Sequence, residues 1–178
     1  IDMFKHTIKK DFHHQLLDKC NGIKIILLTV HRRENLGQPM IQIFSAINRL
    51  LKDVEDIVVI FPIHLNPVVR ELASKYLTPC ERLLVIEPME VTDFHNFMAK
   101  SYLILSDSGG IQEEAPFLGI PTIVLRNETE RPEAVSSGIN YLAGTEENTI
   151  YDYTFKLIMD KEFYQSIAKQ QLLYGDGF

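Results

Sequence analysis

Cysteine is scarce: Cys20 and Cys80 are the only two in 178 residues. They have no metal-ligand spacing and cannot form a disulfide framework, so they read as two reduced thiols of a cytoplasmic protein. No apolar run approaches about 18 residues, so no transmembrane helix is expected. The polar, charged first residues do not resemble a signal peptide. Positive charge is in deficit, with 18 Lys and Arg against 24 Asp and Glu for a net charge of −6. That balance argues against a general nucleic-acid binder, and any anionic ligand must be held by local cations rather than by the overall field. Internal repeats, low-complexity tracts and a second domain are lacking. The chain opens on Ile rather than Met and is therefore expected to be a piece of a longer protein or a processed product. What remains, 46% hydrophobic and 24% charged residues, suits one globular domain with a sizeable core.

Five short apolar runs, each followed by a helical pattern, organise the chain. They are Ile23 to Val30, Ile57 to Phe61, Leu83 to Ile86, Tyr102 to Leu105 and Pro121 to Leu125, with Asn140 to Ala143 as a weaker sixth. From Gln38 to Lys52 the apolar residues Met40, Ile43, Phe44, Ile47, Leu50 and Leu51 recur at helical spacing. Asn66 and Pro67 open the next helix, and Thr92 or Asp93 is expected to cap the one near Val91 to Lys100. Asn148 to Met159 and Lys161 to Leu173 close the chain as helices. Strand and helix in alternation describe a doubly wound Rossmann-like parallel sheet, of α/β class. Residues 1–22 read as a polar lead-in ahead of this unit at 23–178. The pair His13 and His14 has no third ligand at useful spacing and reads as a solvated helix face.

In such sheets ligands bind beyond the carboxyl ends of the strands, so polar residues there are the candidates. His31-Arg32-Arg33-Glu34-Asn35 follows the first strand and supplies the cations that the net charge lacks. His64 follows the second strand, where a histidine is also compatible with a structural or merely exposed role. His95, on the helix after the third strand, is expected at the surface. Arg131, at a helix start after the fifth strand, is a candidate for an anion, or else a surface partner of Glu128 or Glu133. The fourth strand runs into Ser106-Asp107-Ser108-Gly109-Gly110-Ile111-Gln112-Glu113-Glu114-Ala115-Pro116. Strand, Ser-Gly-Gly turn and helix start expose backbone N–H groups to an anion, and glycines let a phosphate approach the main chain. Glu113 and Glu114, read as part of the helix's first turn, suit sugar hydroxyls better than phosphate. Diphosphate on the turn and ribose on a glutamate make a nucleotide-sugar site. Taken alone, the stretch also reads as a tight turn before an acid-rich helix start.

Taken together, four motifs give the chain a resemblance to the non-hydrolysing UDP-N-acetylglucosamine 2-epimerases. They are Thr29 to Asn35 (Thr-Val-His-Arg-Arg-Glu-Asn), Pro62 to Pro67 (Pro-Ile-His-Leu-Asn-Pro), Ser106 to Pro116 as quoted above, and Glu128 to Ala134 (Glu-Thr-Glu-Arg-Pro-Glu-Ala). Tyr174-Gly175-Asp176-Gly177 adds a fifth. The resemblance implies the C-terminal, nucleotide-binding half of a two-domain glycosyltransferase-B fold, stopping before that half's final helix. The half carrying the family's acid/base carboxylates lies outside the chain. It further implies a cytoplasmic isomerase, a homodimer when whole, acting in cell-envelope polysaccharide biosynthesis. Its reaction interconverts UDP-GlcNAc and UDP-ManNAc without NAD or metal, by anti elimination of UDP and re-addition. Ser108, Gly109 and Gly110 would hold the diphosphate, Glu114 the ribose hydroxyls and Arg131 the UDP phosphates. His31 would serve catalysis or binding beside them. Arg32 and His64 would contact a second, regulatory UDP-GlcNAc. Nucleic acid and membrane are not expected partners. The competing expectations are the donor-nucleotide domain of a glycosyltransferase, or a nucleotide-sugar-binding module without catalysis.

Overall fold

The apolar runs form strands because their aliphatic and β-branched side chains need burial on both faces, which a parallel sheet between two helix layers supplies. The computed structural model describes residues 4–169. Its strands are β1 (Lys24–Thr29), β2 (Ile57–Pro62), β3 (Leu83–Ile86), β4 (Leu103–Ser106), β5 (Thr122–Val124) and β6 (Asn140–Leu142). They lie in the order β3-β2-β1-β4-β5-β6, each neighbouring pair parallel. The order reverses between β1 and β4, which opens a crevice beyond the carboxyl ends of those two strands. The run at Asn140 is thus a true edge strand.

The helices are α1 (Phe4–Thr7), α2 (Gln15–Lys19), α3 (Gln38–Asp53), α4 (Pro67–Tyr76), α5 (Val91–Lys100), α6 (Gly109–Leu118), α7 (Pro132–Ser136), α8 (Glu147–Met159) and α9 (Lys161–Ile167). Successive residues of β1 point to opposite sides of the sheet. Ile26 and Leu28 join Phe44, Ile47 and Leu50 of α3 and Ile150 and Leu157 of α8 on one face. Ile25 and Leu27 join Phe97 and Met98 of α5 and Ile111 and Ala115 of α6 on the other. All of these are buried.

Two local details set the shape of α6. Pro116 sits inside the helix and has no N–H to give to Gln112, four residues back. The Gln112 carbonyl instead accepts from Asn140 Nδ2 at 2.9 Å, which ties α6 to the start of β6. Gly119 then ends the helix at φ 71°, donating its N–H to Ala115 and Pro116, in a left-handed conformation that glycine adopts without strain.

Among its described residues the lead-in forms two short helices, α1 and α2. Phe12, Leu16, Leu17 and the buried Cys20 pack on the α5–α6 side of the sheet. His14 caps α2, its Nδ1 accepting from the Leu16 N–H at 3.2 Å, so one of the paired histidines is a cap rather than part of a solvated face. At α5 the expected cap at Thr92 or Asp93 is corrected: Glu90 holds the N-cap position with no side-chain bond. The backbone there enters the helix two to three residues earlier than the expected caps. At α4 Asn66 does cap, its Oδ1 accepting from the Val68 N–H at 3.0 Å. The Tyr174-Gly175-Asp176-Gly177 motif and the far end of the last expected helix lie outside the described residues. No described helix is long and apolar enough to cross a membrane.

Candidate functional site

The carboxyl ends of β1, β2 and β4 and the first turns of α6 enclose a cleft of about 620 Å³. Its floor comes from Thr29, Val30 and Pro62, and His31 and His64 stand over it. Ser108, Gly110, Ile111 and Glu114 form the α6 side, and Pro88, Met89, Val91 and Phe94 form an apolar wall on the α5 side. The structure thus brings His31, His64, Ser108, Gly110 and Glu114 into one cavity.

Helix α6 begins at Gly109, with Ser108 as its N-cap. The two glycines are the helix's first residues rather than a turn before it. Glu113 and Glu114 therefore lie in the second turn, which corrects the expected first-turn placement, and no acidic residue occupies the first turn. The first N–H groups of a helix have no partner within it, and no acidic side chain of the first turn offsets their partial positive charge here. The Ser108 side chain makes no capping bond. Its backbone N–H is already taken, donating to Ser106 Oγ at 3.0 Å, while Ser106 Oγ also meets Thr29 Oγ1 at 2.7 Å across the β1–β4 pair.

Asp107 is the residue that sequence reading passed over. Its carboxylate is fully buried, and it gathers the segment after β1 onto the end of β4. Oδ2 accepts from the His31 N–H at 3.0 Å, the Arg32 N–H at 2.8 Å and Asn35 Nδ2 at 3.0 Å. Oδ1 meets His31 Nδ1 at 3.2 Å. An ionised carboxylate only accepts, so His31 carries its proton on Nδ1 and leaves Nε2 with a lone pair. Burial lowers the His31 pKa; Asp107 opposes this, and His64 and Arg32 add to it. His64 stacks edge-on against His31 with ring centroids 5.2 Å apart. Its Nδ1 accepts the Asn66 N–H at 3.0 Å, which directs the remaining ring nitrogen elsewhere.

Arg32 donates its Nε to the Asp107 carbonyl at 2.9 Å. This holds its guanidinium over the start of α6: a Cβ on Gly109 would sit 3.4 Å from Arg32 Nη2. Arg131 is placed otherwise. It pairs through Nε with Glu113, donates Nη1 to the Glu130 carbonyl at 2.9 Å, and does not line the cleft. The buried Gln112 completes the frame, accepting from Thr129 Oγ1 at 2.5 Å and so pinning the segment after β5 to α6.

Two further pKa directions matter. His95 is buried at 5% exposure, which corrects its expected surface position: α5 turns that face toward the lead-in and α6. Burial lowers its pKa, and burial raises that of Glu114, with Glu113 adding to the rise. The unfolded chain takes up protons near the ordinary imidazole value of 6.5 that folded His31 and His95 refuse. Their contribution to stability is complete above that value and is lost as pH falls through it. Glu114 acts oppositely, relieving its own penalty as pH falls through its raised value toward 4.5. Unfolding by urea at about pH 5.5 should therefore need less free energy than at about pH 7.5, and His95→Gln should flatten the difference. A difference unchanged in the variant would remove His95 from this account.

Comparison with known proteins identifies the chain's relatives. A family profile described as UDP-N-acetylglucosamine 2-epimerase matches residues 1–178. The UDP-N-acetylglucosamine 2-epimerase of Bacillus subtilis is 51% identical over 99% of this chain and 47% of its own length. Among solved structures, the S. aureus protein MnaA with UDP is 46% identical, with a TM-score of 0.96 over 100% of this chain and 49% of its own. The Neisseria meningitidis UDP-GlcNAc 2-epimerase bound to UDP-GlcNAc is 44% identical, with a TM-score of 0.84 over 87% of this chain and 42% of its own. The chain spans about half the length of the curated relatives it matches. The C-terminal domain of a Francisella tularensis group 1 glycosyl transferase shares the fold alone, at 14% identity and a TM-score of 0.68. The sheet is that of a glycosyltransferase-B-type half.

Proposed function

Because the chain belongs to the UDP-N-acetylglucosamine 2-epimerase family, we propose that it is the UDP-binding half of an isomerase interconverting UDP-GlcNAc and UDP-ManNAc. The observation that carries this reading is the acid-free start of α6, with the Arg32 guanidinium above it and Glu114 one turn on in the same cleft. A diphosphate docks on the N–H groups of Gly109 and Gly110 and the Ser108 hydroxyl. The ribose hydroxyls donate to Glu114, and the base packs on Pro88, Met89, Val91 and Phe94. In this reading Arg131 acts on the phosphates only if it leaves Glu113, and otherwise braces α6. Arg32 and His64, in this reading, also contact a second, regulatory UDP-GlcNAc.

The reaction removes the C2 proton and breaks the C1–O bond, the electron pair leaving with UDP. The resulting 2-acetamidoglucal then regains UDP and a proton on the opposite face. Charge develops on the departing diphosphate, where preorganised N–H groups and a fixed cation favour the transition state over the substrate. His31, neutral and with Nε2 open, is placed to exchange a proton beside that diphosphate. The whole enzyme is then a cytoplasmic homodimer that serves cell-envelope polysaccharide synthesis.

Calorimetric titration of the chain with UDP, with uridine as control, tests the site. UDP should bind and uridine should bind far more weakly. Glu114→Ala should weaken UDP by about 1–3 kcal/mol through loss of a charge-assisted bond. Equal affinity for UDP and uridine would remove the diphosphate from the α6 turn. Turnover of UDP-GlcNAc by the whole protein with no acceptor present separates this reading from a glycosyltransferase.

A further inference from the structure

His95 is buried, yet it forms part of the cleft wall beside Phe94 and Glu114. Its ring nitrogens face two different elements. Nδ1 lies 2.8 Å from Thr7 Oγ1 in the lead-in, and Nε2 lies 3.9 Å from Glu114 Oε1 on α6. The second distance is longer than a formed hydrogen bond, so it orients the carboxylate electrostatically rather than sharing a proton with it. A neutral ring carries one N–H. Facing a carboxylate, that proton belongs on Nε2, and Nδ1 then accepts from the Thr7 hydroxyl.

Asn96 fixes this geometry from the next position. Its Nδ2 donates to the Thr7 carbonyl at 2.7 Å and its Oδ1 accepts from the Lys9 N–H at 2.9 Å. Thr7 therefore cannot drift from His95 without breaking its bond to Asn96, and the Lys9 bond holds the next turn of chain in place beside it. The lead-in is clamped to α5 beside the point where His95 approaches Glu114.

We propose that His95 is a positioning residue for the ribose-binding carboxylate, and that Thr7 sets its orientation from the lead-in. The Thr7 O–H points at Nδ1, and Nε2–H points at Glu114. The carboxylate lone pairs not facing His95 are left toward the ribose diol. Discrimination for ribose is then shared between α6 and the lead-in, which acts through His95 of α5, 88 residues on from Thr7. This rests on the ribose reading of Glu114 given above.

The test compares UDP with 2′,3′-dideoxy-UDP by calorimetry, on the wild-type chain and on Thr7→Val, His95→Gln and His95→Asn. Two lost charge-assisted bonds should make the wild type prefer UDP by about tenfold or more. Glutamine keeps an amide donor near the place of Nε2, whereas asparagine keeps a polar group only near Nδ1. His95→Gln should thus retain the preference. His95→Asn and Thr7→Val should cut it to about threefold or less, with affinity for dideoxy-UDP changed by no more than about twofold. Thr7→Val, nearly unchanged in volume, carries the test if His95→Asn does not fold. A full preference in His95→Asn and Thr7→Val would overturn the proposal while leaving Glu114 on the ribose. Equal loss of both ligands would overturn it in favour of a packing role. A wild type that binds both ligands equally would overturn the ribose reading itself, and one that binds neither would overturn the proposed UDP site.

Discussion

Gly109→Val is expected to weaken UDP binding by about 100-fold or more, which is about 2.8 kcal/mol, with the fold intact. A Cβ at this position would already touch Arg32 Nη2 at 3.4 Å, and the two methyl groups of valine extend past it. They displace the guanidinium from its place over the helix start and fill the space that a phosphate oxygen needs to reach the Gly109 and Gly110 N–H groups at about 2.9 Å. Gly109 does not have a positive φ, so a β-branched residue meets no backbone strain. Glycine and valine also differ by only a few tenths of a kcal/mol, or less, in helix propensity. The melting temperature should consequently stay within a few degrees while UDP titration goes flat. Gly109→Ala, with its Cβ just in van der Waals contact, should fall between. Normal UDP affinity in the valine variant, with the protein folded, would sink the assignment of the diphosphate to this turn.

Asp107→Asn should cost the whole enzyme about 10²–10⁴-fold in turnover, the scale seen when a carboxylate that sets a histidine tautomer is made an amide. The amide oxygen takes the side where three donors converge, from His31, Arg32 and Asn35. The amide N–H groups then face His31 Nδ1, which must become the acceptor. The proton moves to Nε2, and the ring presents a donor to the cleft where it had presented a lone pair. Stability should drop by about 1–3 kcal/mol, because charged acceptors are exchanged for neutral ones at a buried site. Nitrogen-15 shifts of the His31 imidazole report the tautomer directly. An Nδ1 that still carries its proton in the variant, or a turnover that does not change, would dismiss Asp107 as the source of His31 orientation.

The sheet and most of the cleft were legible in the sequence because they depend on local patterns. Short β-branched runs alternating with helical spacing leave little choice but a parallel, doubly wound sheet, and its crossovers bring every strand's carboxyl end to one edge. His31, His64 and Ser108 were therefore found by position alone, and the resemblance added roles to them. The contacts that decide how those residues behave were not legible, since they join positions far apart in the chain. Asp107 reads as one more turn residue until β1 is laid beside β4. Arg131 looks suited to its neighbours Glu128 or Glu133, and only the packing of the segment after β5 against α6 brings Glu113 to it as well. His95 reads as surface because nothing in its own helix says that the lead-in covers that face. Periodicity determined which elements form and where their ends meet. Tertiary packing decided which charges are buried, which tautomers they impose and which cation lies over the start of α6, because burial and pairing depend on what another part of the chain brings to the same place.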